Sequence, residues 1–389
     1  MREKYLTKRQ KVCYNVDINT KEGEEMAEIK SYKCPCCGAP LKFSEKKQKL
    51  SCAQCGNSFD TKTLEQLDEA EQGTSGESKY DWTEYEPREF DAAESEGFAS
   101  YECPSCGAQI TGDKAMGATM CPYCGNATIV EKQFSGSLKP DLVIPFKLDK
   151  KAAMAKFEEA AKQAPFLPNE FKDRRRIEKM TGVYVPFWLF GCDCDANIVY
   201  DANDVSHWSD RDYEYTKTDY YKIYRSGVIG FENIPVDGSK KAADNYMDAL
   251  EPFDFSEAVD FNTAYLSGFL ADKYDVDAKE SVERANKRMK KTTEEEFART
   301  VHHQWVTPIA AVTAFKNTKI RYALIPVWML NIKYEGAMYK YAINGQTGKT
   351  VGEYPICKKK KWKYFFKVFG ITLLIIIALY AIIWGWLTR

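Results

Sequence analysis

The chain has 389 residues, of which 44% are hydrophobic and 29% are charged, and its formal net charge is −1. This composition excludes a multispan membrane protein and predicts a folded soluble body, and the length allows two or three domains. The near-zero net charge hides an uneven distribution, because acidic residues gather in one segment and lysines in another.

The N-terminal segment, residues 1–30, is interpreted as an extension. Met26-Ala27 would be a natural start, and Lys21 to Glu25 would be encoded by purine-rich codons that resemble a ribosome-binding site. We expect the native protein to begin at Met26, which N-terminal sequencing of natively expressed protein would test.

Two copies of Cys-x2-Cys-x14-Cys-x2-Cys predict zinc ribbons at residues 31–60 and 100–135. A Cys-x2-Cys-Gly knuckle turns two thiolates toward one ion, and a second knuckle completes a closed four-cysteine site of the structural kind. Segments this small need metal to fold. Two disulfide clusters or scattered core thiols are the alternative, which a reducing cytoplasm disfavours. The predicted zinc ligands are Cys34, Cys37, Cys52 and Cys55 in the first ribbon and Cys103, Cys106, Cys121 and Cys124 in the second.

Three further cysteines need an interpretation. Cys36 lies inside the first knuckle and is out of register with the other knuckles, so it is a spare. Cys192 and Cys194 form Cys-x-Cys on a predicted strand and face the same side. They are either buried thiols, which we favour, or part of a third metal site for which no other cysteine pair remains.

Residues 61–99 form an acidic linker, with twelve Asp and Glu residues against three basic ones. Like charges repel, and Gly and Ser occupy its centre, so we expect the linker to be extended or disordered.

The body, residues 141–356, is predicted to be a cytoplasmic α+β domain with a mixed antiparallel sheet. Val185-Pro186-Phe187-Trp188 and Ile325-Pro326-Val327-Trp328 share one pattern, and Leu142 to Phe146 is a shorter relative. We interpret these segments as strand starts in two related halves, with alternating stretches at 196–201 and 332–343. Helices are predicted at 150–163, capped by Asp149, and at 276–298.

The sequence offers no catalytic constellation that we recognise, so we predict no catalytic residues and no enzyme. Gly348-Lys349-Thr350 resembles the end of a phosphate-binding loop, but Ile343 stands where that loop needs glycine. Asn344-Gly345 and Thr347-Gly348 instead predict turns of a hairpin. His302 and His303 lack an acid at a metal-binding spacing.

The C-terminal end predicts a basic juxtamembrane segment, 357–367, and a transmembrane helix, 368–387. Twenty apolar helical residues span about 30 Å, the thickness of a bilayer core. The positive-inside rule places the bulk of the chain in the cytoplasm of a single-pass cell-membrane protein, and anionic lipid headgroups would be attracted by the lysines. These are Lys358, Lys359, Lys360, Lys361, Lys363 and Lys367.

The ribbons resemble those of transcription factor IIB and of the primosomal helicase. Over most of its length, the chain resembles a bacterial family of tail-anchored double-ribbon membrane proteins, through its Val-Tyr-Val-Pro-Phe-Trp segment (183–188) and its Tyr-Ala-Ile-Asn-Gly-Gln-Thr-Gly segment (341–348). That resemblance implies phage-shock-like and stomatin-like or virion-core-like partners in envelope stress.

Three functions from different classes remain. The first is a membrane-anchored zinc-ribbon adaptor that docks membrane proteins or membrane-recruited proteins. The second is a membrane-tethered nucleic-acid or transcription protein, which the lysines of the first ribbon favour and the acidic linker disfavours. The third is an envelope enzyme with an unfamiliar site. We favour the adaptor, because the second ribbon carries few basic residues.

Overall fold

The computed structural model of the chain describes residues 32–35, 38–45, 48–62, 64–65, 68, 76–91, 97–114, 120–126, 130–132, 138–241 and 244–387. Its strands are β1 (Leu41–Ser44), β2 (Lys49–Cys52), β3 (Ser58–Phe59), β4 (Lys79–Tyr80), β5 (Phe98–Glu102), β6 (Gln109–Asp113), β7 (Val130–Lys132), β8 (Leu142–Val143), β9 (Thr181–Ser209), β10 (Glu214–Asp237), β11 (Val259–Asp260), β12 (Leu270–Asp272), β13 (Trp305–Tyr334), β14 (Ala337–Asn344) and β15 (Thr350–Gly352). Its helices are α1 (Lys150–Lys162), α2 (Arg174–Ile177), α3 (Asp244–Leu250), α4 (Ala278–Arg299) and α5 (Lys358–Leu387).

The fold is α+β with a mixed sheet, and the described residues fall into two compact units. Unit 1 lies within Met1–Glu84, Leu189–Pro235 and Val282–Ile320. Unit 2 lies within Tyr85–Trp188, Val236–Ser281 and Arg321–Arg389. Strands β9 and β13 and helix α4 contribute residues to both units.

The two predicted helices of the body are present. The prediction of 150–163 corresponds to α1, where Asp149 Oδ1 accepts a hydrogen bond from the backbone N–H of Ala152 at 2.7 Å. The prediction of 276–298 corresponds to α4, where Asp277 Oδ1 accepts from the N–H of Glu280 at the same distance. An Asp before each helix satisfies an N–H that has no partner within the helix.

The body repeats one arrangement twice, as the two Pro-x-Trp segments predict. Half A runs from β8 through α1 to β9 and β10, and half B runs from β12 through α4 to β13 and β14. In each half a short strand leads into a capped helix, then into a long strand with the Pro-x-Trp segment, then into a return strand.

The two halves are interleaved within unit 2. Strand β8 of half A pairs in parallel with β13 of half B, with Leu142 opposite Ala323. Strand β12 of half B pairs in parallel with β9 of half A, with Leu270 opposite Val183. Each short strand therefore pairs with the long strand of the other half. In both cases the paired residue lies at the same distance along the long strand from the tryptophan of that strand. These parallel pairs make the sheet mixed.

The prediction that the prolines mark strand starts is wrong. Pro186 and Pro326 lie inside β9 and β13, in stretches that are buried residue after residue, 182–190 and 322–330. Such stretches are typical of central strands covered on both faces. Proline is tolerated there because the partner strand changes at that point. On β13 the pairing passes from β8 at Leu324 to β14 at Val327.

The alternating stretch predicted at 332–343 is two strands. Glu335 and Gly336, both with positive φ (47° and 86°), form the turn between β13 and β14. The next predicted hairpin is confirmed: β14 pairs with β15, and Gly348 has a φ of 79° in the turn between them. Gly348-Lys349-Thr350 therefore belongs to a β-hairpin and not to a phosphate-binding loop.

Unit 1 is built on the outer parts of β9, β10 and β13, with β10 paired to β9. Part of the acidic segment packs here: β4 pairs in parallel with β13, with Tyr80 opposite Phe315. Trp82 packs edge-on against Phe315 (ring centroids 5.9 Å apart) and donates its indole N–H to Asn286 Oδ1 at 2.8 Å. Residues 78–83 of the acidic segment are therefore extended and held by aromatic contacts.

Candidate metal centres

The described parts of the four Cys-x2-Cys-Gly knuckles fold alike. In each described turn the glycine N–H donates to the carbonyl of the first cysteine, as Gly107 does to Cys103 at 2.8 Å and Gly125 does to Cys121 at 2.9 Å. The four knuckle glycines have φ between 69° and 76°. Only glycine adopts this backbone conformation without strain, so the glycine lets the two cysteines of a knuckle converge.

The second cluster has the geometry of a tetrahedral sulfur site. The Sγ atoms of Cys103, Cys106, Cys121 and Cys124 all lie within 4.8 Å of one another. The Cys103–Cys124 and Cys106–Cys121 sulfur pairs are each 3.6 Å apart. A disulfide needs about 2.05 Å, whereas four sulfurs at about 2.3 Å from one tetrahedral ion stand roughly 3.8 Å apart. The cluster therefore fits a metal ion and not a pair of disulfides.

The first cluster brings together the three described cysteines of its four-cysteine motif. The sulfurs of Cys34, Cys52 and Cys55 lie within 4.8 Å of one another, and those of Cys34 and Cys55 are 3.5 Å apart. Cys37, the fourth predicted ligand, and Cys36, the predicted spare, lie outside the described residues. Cys34 and Cys52 are buried, and Cys55 is exposed.

Burial and local hydrogen bonds act in opposite directions on the thiols of the second cluster. Burial alone would raise the pKa of Cys103, but hydrogen bonds from the backbone N–H groups of Cys106 and Ser105 and from the side chains of Cys124 and Cys106 together lower that pKa to about 7. Burial raises the pKa of Cys121. A bound cation would hold such a buried thiol as the thiolate that metal ligation requires.

The second ribbon is part of the sheet of unit 2. Strand β6 pairs with β12, with Ile110 opposite Asp272. Tyr123, between the cysteines of the last knuckle, is buried, and its hydroxyl donates to Asp272 Oδ2 at 2.5 Å. The Ser239 hydroxyl donates to the same oxygen at 2.6 Å. The bond from Tyr123 fixes the knuckle to β12. The ribbon therefore helps to hold the sheet of unit 2 together.

Asp272 is a site residue that sequence reasoning missed. Burial raises the pKa of its carboxyl to about 7, although the hydrogen bonds from Ser239 and Tyr123 act to lower it. The signal in the sequence is slight: Asp272 stands in the apolar run Leu270-Ala271-Asp272, and the residues that contact it are distant in sequence.

The first ribbon packs on unit 1 through a small apolar cluster. Its buried members are Cys34, Cys52, Phe59 and Leu64 from the N-terminal segment with Val199 of β9 and Tyr224 of β10. On the hairpin β1–β2, by contrast, Phe43 is 55% exposed. The ribbon thus has one face against the sheet and an aromatic side chain in solvent.

Cys192 and Cys194 lie on the buried face of β9 against α4. Cys192 Sγ is 3.5 Å from Met289 Sδ, and the Thr293 hydroxyl donates to Cys194 Sγ at 3.6 Å. Burial raises the pKa of both thiols, that of Cys192 to about 12. A thiol that stays protonated is a poor metal ligand, so this environment suits buried core thiols.

The fold gives His303 an acidic partner that the sequence does not reveal. Its Nδ1 lies 2.8 Å from Asp204 Oδ2, and its ring stacks on Tyr221 with centroids 4.2 Å apart. The backbone N–H of Gln304 and the His303 side chain lower the pKa of Asp204. The contacts of His303 with Asp204 and Tyr221 connect β9 and β10 to the segment just before β13.

The basic and apolar C-terminal segments form one continuous helix, α5. The part from Lys358 to Trp384 is long and apolar enough to cross a membrane, and no residue of its apolar window is buried. Lys360 is half-buried, because its ammonium donates to Leu167 O at 2.6 Å and to Asn169 Oδ1 at 2.7 Å. Two of its three donors are thus used by unit 2, so it is the predicted headgroup ligand least free to bind lipid.

Comparison with known proteins gives a relative along nearly the whole chain. The Bacillus subtilis (strain 168) "Uncharacterized protein YdjG" is 33% identical over 352 residues, which cover 89% of this chain and 96% of that protein. No family model matches the chain. No solved structure matches it.

Proposed function

The chain belongs to the family of the Bacillus subtilis protein YdjG, whose name states no activity. From the geometry, we propose that the chain is a membrane-anchored adaptor. Helix α5 anchors it in a bilayer, two structural zinc ions hold the ribbons, and unit 1 docks partner proteins. The bulk of the chain lies on the cytoplasmic side of the cell membrane, because the lysines precede the apolar run.

The observation that carries the docking role is the exposure of two tryptophans in unit 1. Trp208 is 52% exposed and Trp305 is 66% exposed. Aromatic side chains are enriched at protein interfaces, and large exposed apolar groups mark interaction sites. Further large apolar side chains of unit 1 that are exposed are Phe43, Tyr220, Val228 and Ile309.

The two tryptophans occupy neighbouring places on unit 1. Gln304, the residue before Trp305, donates its backbone N–H to Asp204 Oδ1 at 2.9 Å and its side-chain amide to Val205 O at 3.2 Å. Trp208 follows Val205 by three strand residues, about 10 Å along β9. A partner of ordinary interface size covers both positions at once.

The proposed metal is zinc, because a closed set of four thiolates is its usual structural site. The second site stabilises unit 2 through β6 and β12, and the first holds the ribbon that presents Phe43. Neither site keeps an open coordination position for chemistry. The proposed role of zinc is therefore to hold structure.

Co-purification from detergent-solubilised native membranes, with nuclease treatment and mass spectrometry, tests the docking role. We expect the natural chain to retain a defined set of membrane or membrane-recruited proteins. The Trp208→Ala/Trp305→Ala double variant should lose them, whereas Val130→Ala, which alters an exposed apolar residue of unit 2, should keep them.

Two results would contradict the adaptor role. Retention of the same partners by the double tryptophan variant would remove unit 1 as the docking surface. Loss of every partner on nuclease treatment would favour the nucleic-acid alternative, since binding would then run through phosphate contacts.

A further inference from the structure

The start of α5 is fixed to the loop that joins α1 to α2, residues 163–173. The backbone N–H of Cys357 donates to Phe166 O at 2.8 Å. The rings of Phe166 and Tyr364 pack edge to face, with centroids 5.5 Å apart and planes at 69°. Together with the two hydrogen bonds of Lys360 to this loop, these contacts hold two turns of α5 against unit 2.

The position of the apolar run along α5 sets the depth of this loop. Each helical residue advances about 1.5 Å, so Tyr364 lies about 6 Å, and Lys360 about 12 Å, before the start of the run at Val368. Each headgroup layer is about 5–7 Å thick, because a bilayer measures about 40–45 Å with a core of about 30 Å. An average helix tilt of about 20° changes these depths little. The backbone of Tyr364 therefore lies in the headgroup layer. The backbone of Phe166, bonded to Cys357 about 16 Å before the run, lies on the aqueous side of that layer, and its ring reaches the ring of Tyr364.

The charges around the loop favour anionic lipid. Lys162 and Lys172 are exposed at its two ends, and further exposed lysines stand at the start of α5. The acids within the loop are Glu170, which is exposed, and Asp173, which pairs with Arg175 at 3.4 Å. Positive charge at this depth faces the phosphate groups of the lipid headgroups.

We propose that the α1–α2 loop of unit 2 is a second membrane contact, with the Phe166 ring beside Tyr364 at the aqueous edge of the headgroup layer and Lys162 and Lys172 against anionic phospholipid headgroups. This contact rests on the proposed anchoring by α5 and adds to it a fixed orientation of unit 2 at the bilayer. A single spanning helix on a free hinge would leave unit 2 unoriented, whereas the loop makes two points of attachment.

A photoreactive side chain at Phe166 tests the contact in the full chain. We would introduce p-benzoylphenylalanine at Phe166 and, as the matched control, at Phe255. Phe255 lies near the opposite end of α1: Lys147, just before α1, contacts Glu257 at 2.6 Å, and the thirteen residues of α1 span about 20 Å. Both variants are reconstituted into vesicles of phosphatidylethanolamine and phosphatidylglycerol, irradiated and examined by mass spectrometry for lipid adducts.

The expected result is roughly tenfold more lipid adduct at position 166 than at position 255, since the ring at 166 packs on Tyr364 of α5, close to the headgroup layer. Equal adduct at the two positions in a membrane-inserted chain would overturn the proposal. Alkaline extraction of the same vesicles distinguishes failure of the anchoring by α5 from failure of the loop contact. A chain released by alkali refutes the anchoring. A chain that is retained but has no adduct at 166 refutes the loop contact alone.

Two further measurements test the contact even if the chain with p-benzoylphenylalanine at position 166 fails to fold. A phospholipid with a diazirine on its headgroup should label residues 163–173 of the natural chain more than residues 253–257; equal labelling, no labelling or the reverse pattern contradicts the proposal. Lys162→Gln/Lys172→Gln should reduce the excess of phosphatidylglycerol over phosphatidylethanolamine adducts at 166. The control Lys150→Gln/Lys151→Gln, at the start of α1, should leave that ratio unchanged.

Discussion

Trp188 and Trp328 make equivalent hydrogen bonds across the two interleaved halves. The indole N–H of Trp188 donates to Val276 O at 2.9 Å, and that of Trp328 donates to Leu148 O at 3.0 Å. Val276 and Leu148 each stand two residues before the helix of their half. Each tryptophan therefore fixes the helix entry of the opposite half, and the two halves stabilise each other.

Replacing either tryptophan should destabilise unit 2 by a similar amount. In Trp188→Phe and Trp328→Phe a carbonyl loses its donor and a small cavity opens, which we expect to cost about 2–4 kcal/mol each. Guanidinium unfolding of the detergent-solubilised chain, followed by circular dichroism, measures the loss. Trp305→Phe, at an exposed position, should change stability by less than about 0.5 kcal/mol. A large effect at one buried tryptophan only would contradict the equivalence.

Local patterns in the sequence predict the knuckles, the helix cap at Asp149 and the apolar α5, because each depends on residues close together in the chain. The interleaving does not follow from such patterns. Leu142 to Phe146 resembles the Pro-x-Trp segments, yet whether its strand pairs with its own half or the other half is decided by tertiary packing. For the same reason, the sequence does not predict the contact of Asp272 with Tyr123.

The number of zinc ions per chain should distinguish the cysteines of the two ribbons from the buried thiols of Cys192 and Cys194. We expect two zinc ions per natural chain by elemental mass spectrometry and one in Cys52→Ser or Cys121→Ser. Cys121→Ser should also make unit 2 sensitive to protease, because β6 loses its support on β12. Cys192→Ala should keep both ions. A fall to one ion in that variant would instead show that Cys192 helps to hold one of the two ions.

Asp272 should make stability fall as pH rises toward neutrality. Its folded-state pKa, raised to about 7 by burial, exceeds an unfolded value of about 3.9, so protonation favours the folded state. That contribution is complete below pH of about 4 and is lost as pH passes through about 7. With zinc saturating, the natural chain should lose about 1 kcal/mol between pH 6 and 8 relative to Asp272→Asn. Parallel pH profiles for the two proteins in denaturant unfolding would contradict this assignment.

Deleting residues 358–389 should release the chain from the membrane without loss of its metal. The described contacts of α5 with unit 2 involve a few residues of one loop, whereas both ribbons rest on the sheets. Fractionation and elemental analysis should find a soluble protein with two zinc ions. Sedimentation of the truncated chain with membranes in high salt would show that α5 is not the anchor.

Photo-crosslinking at position 305 in intact cells tests the docking role of unit 1 most directly. With p-benzoylphenylalanine in place of Trp305, we expect a discrete adduct with another protein, of one or a few sizes, that sediments with membranes and is identified by mass spectrometry. The same probe at Val130 should not form that adduct. Absence of a protein adduct at 305, or capture of nucleic acid there, would contradict the adaptor role.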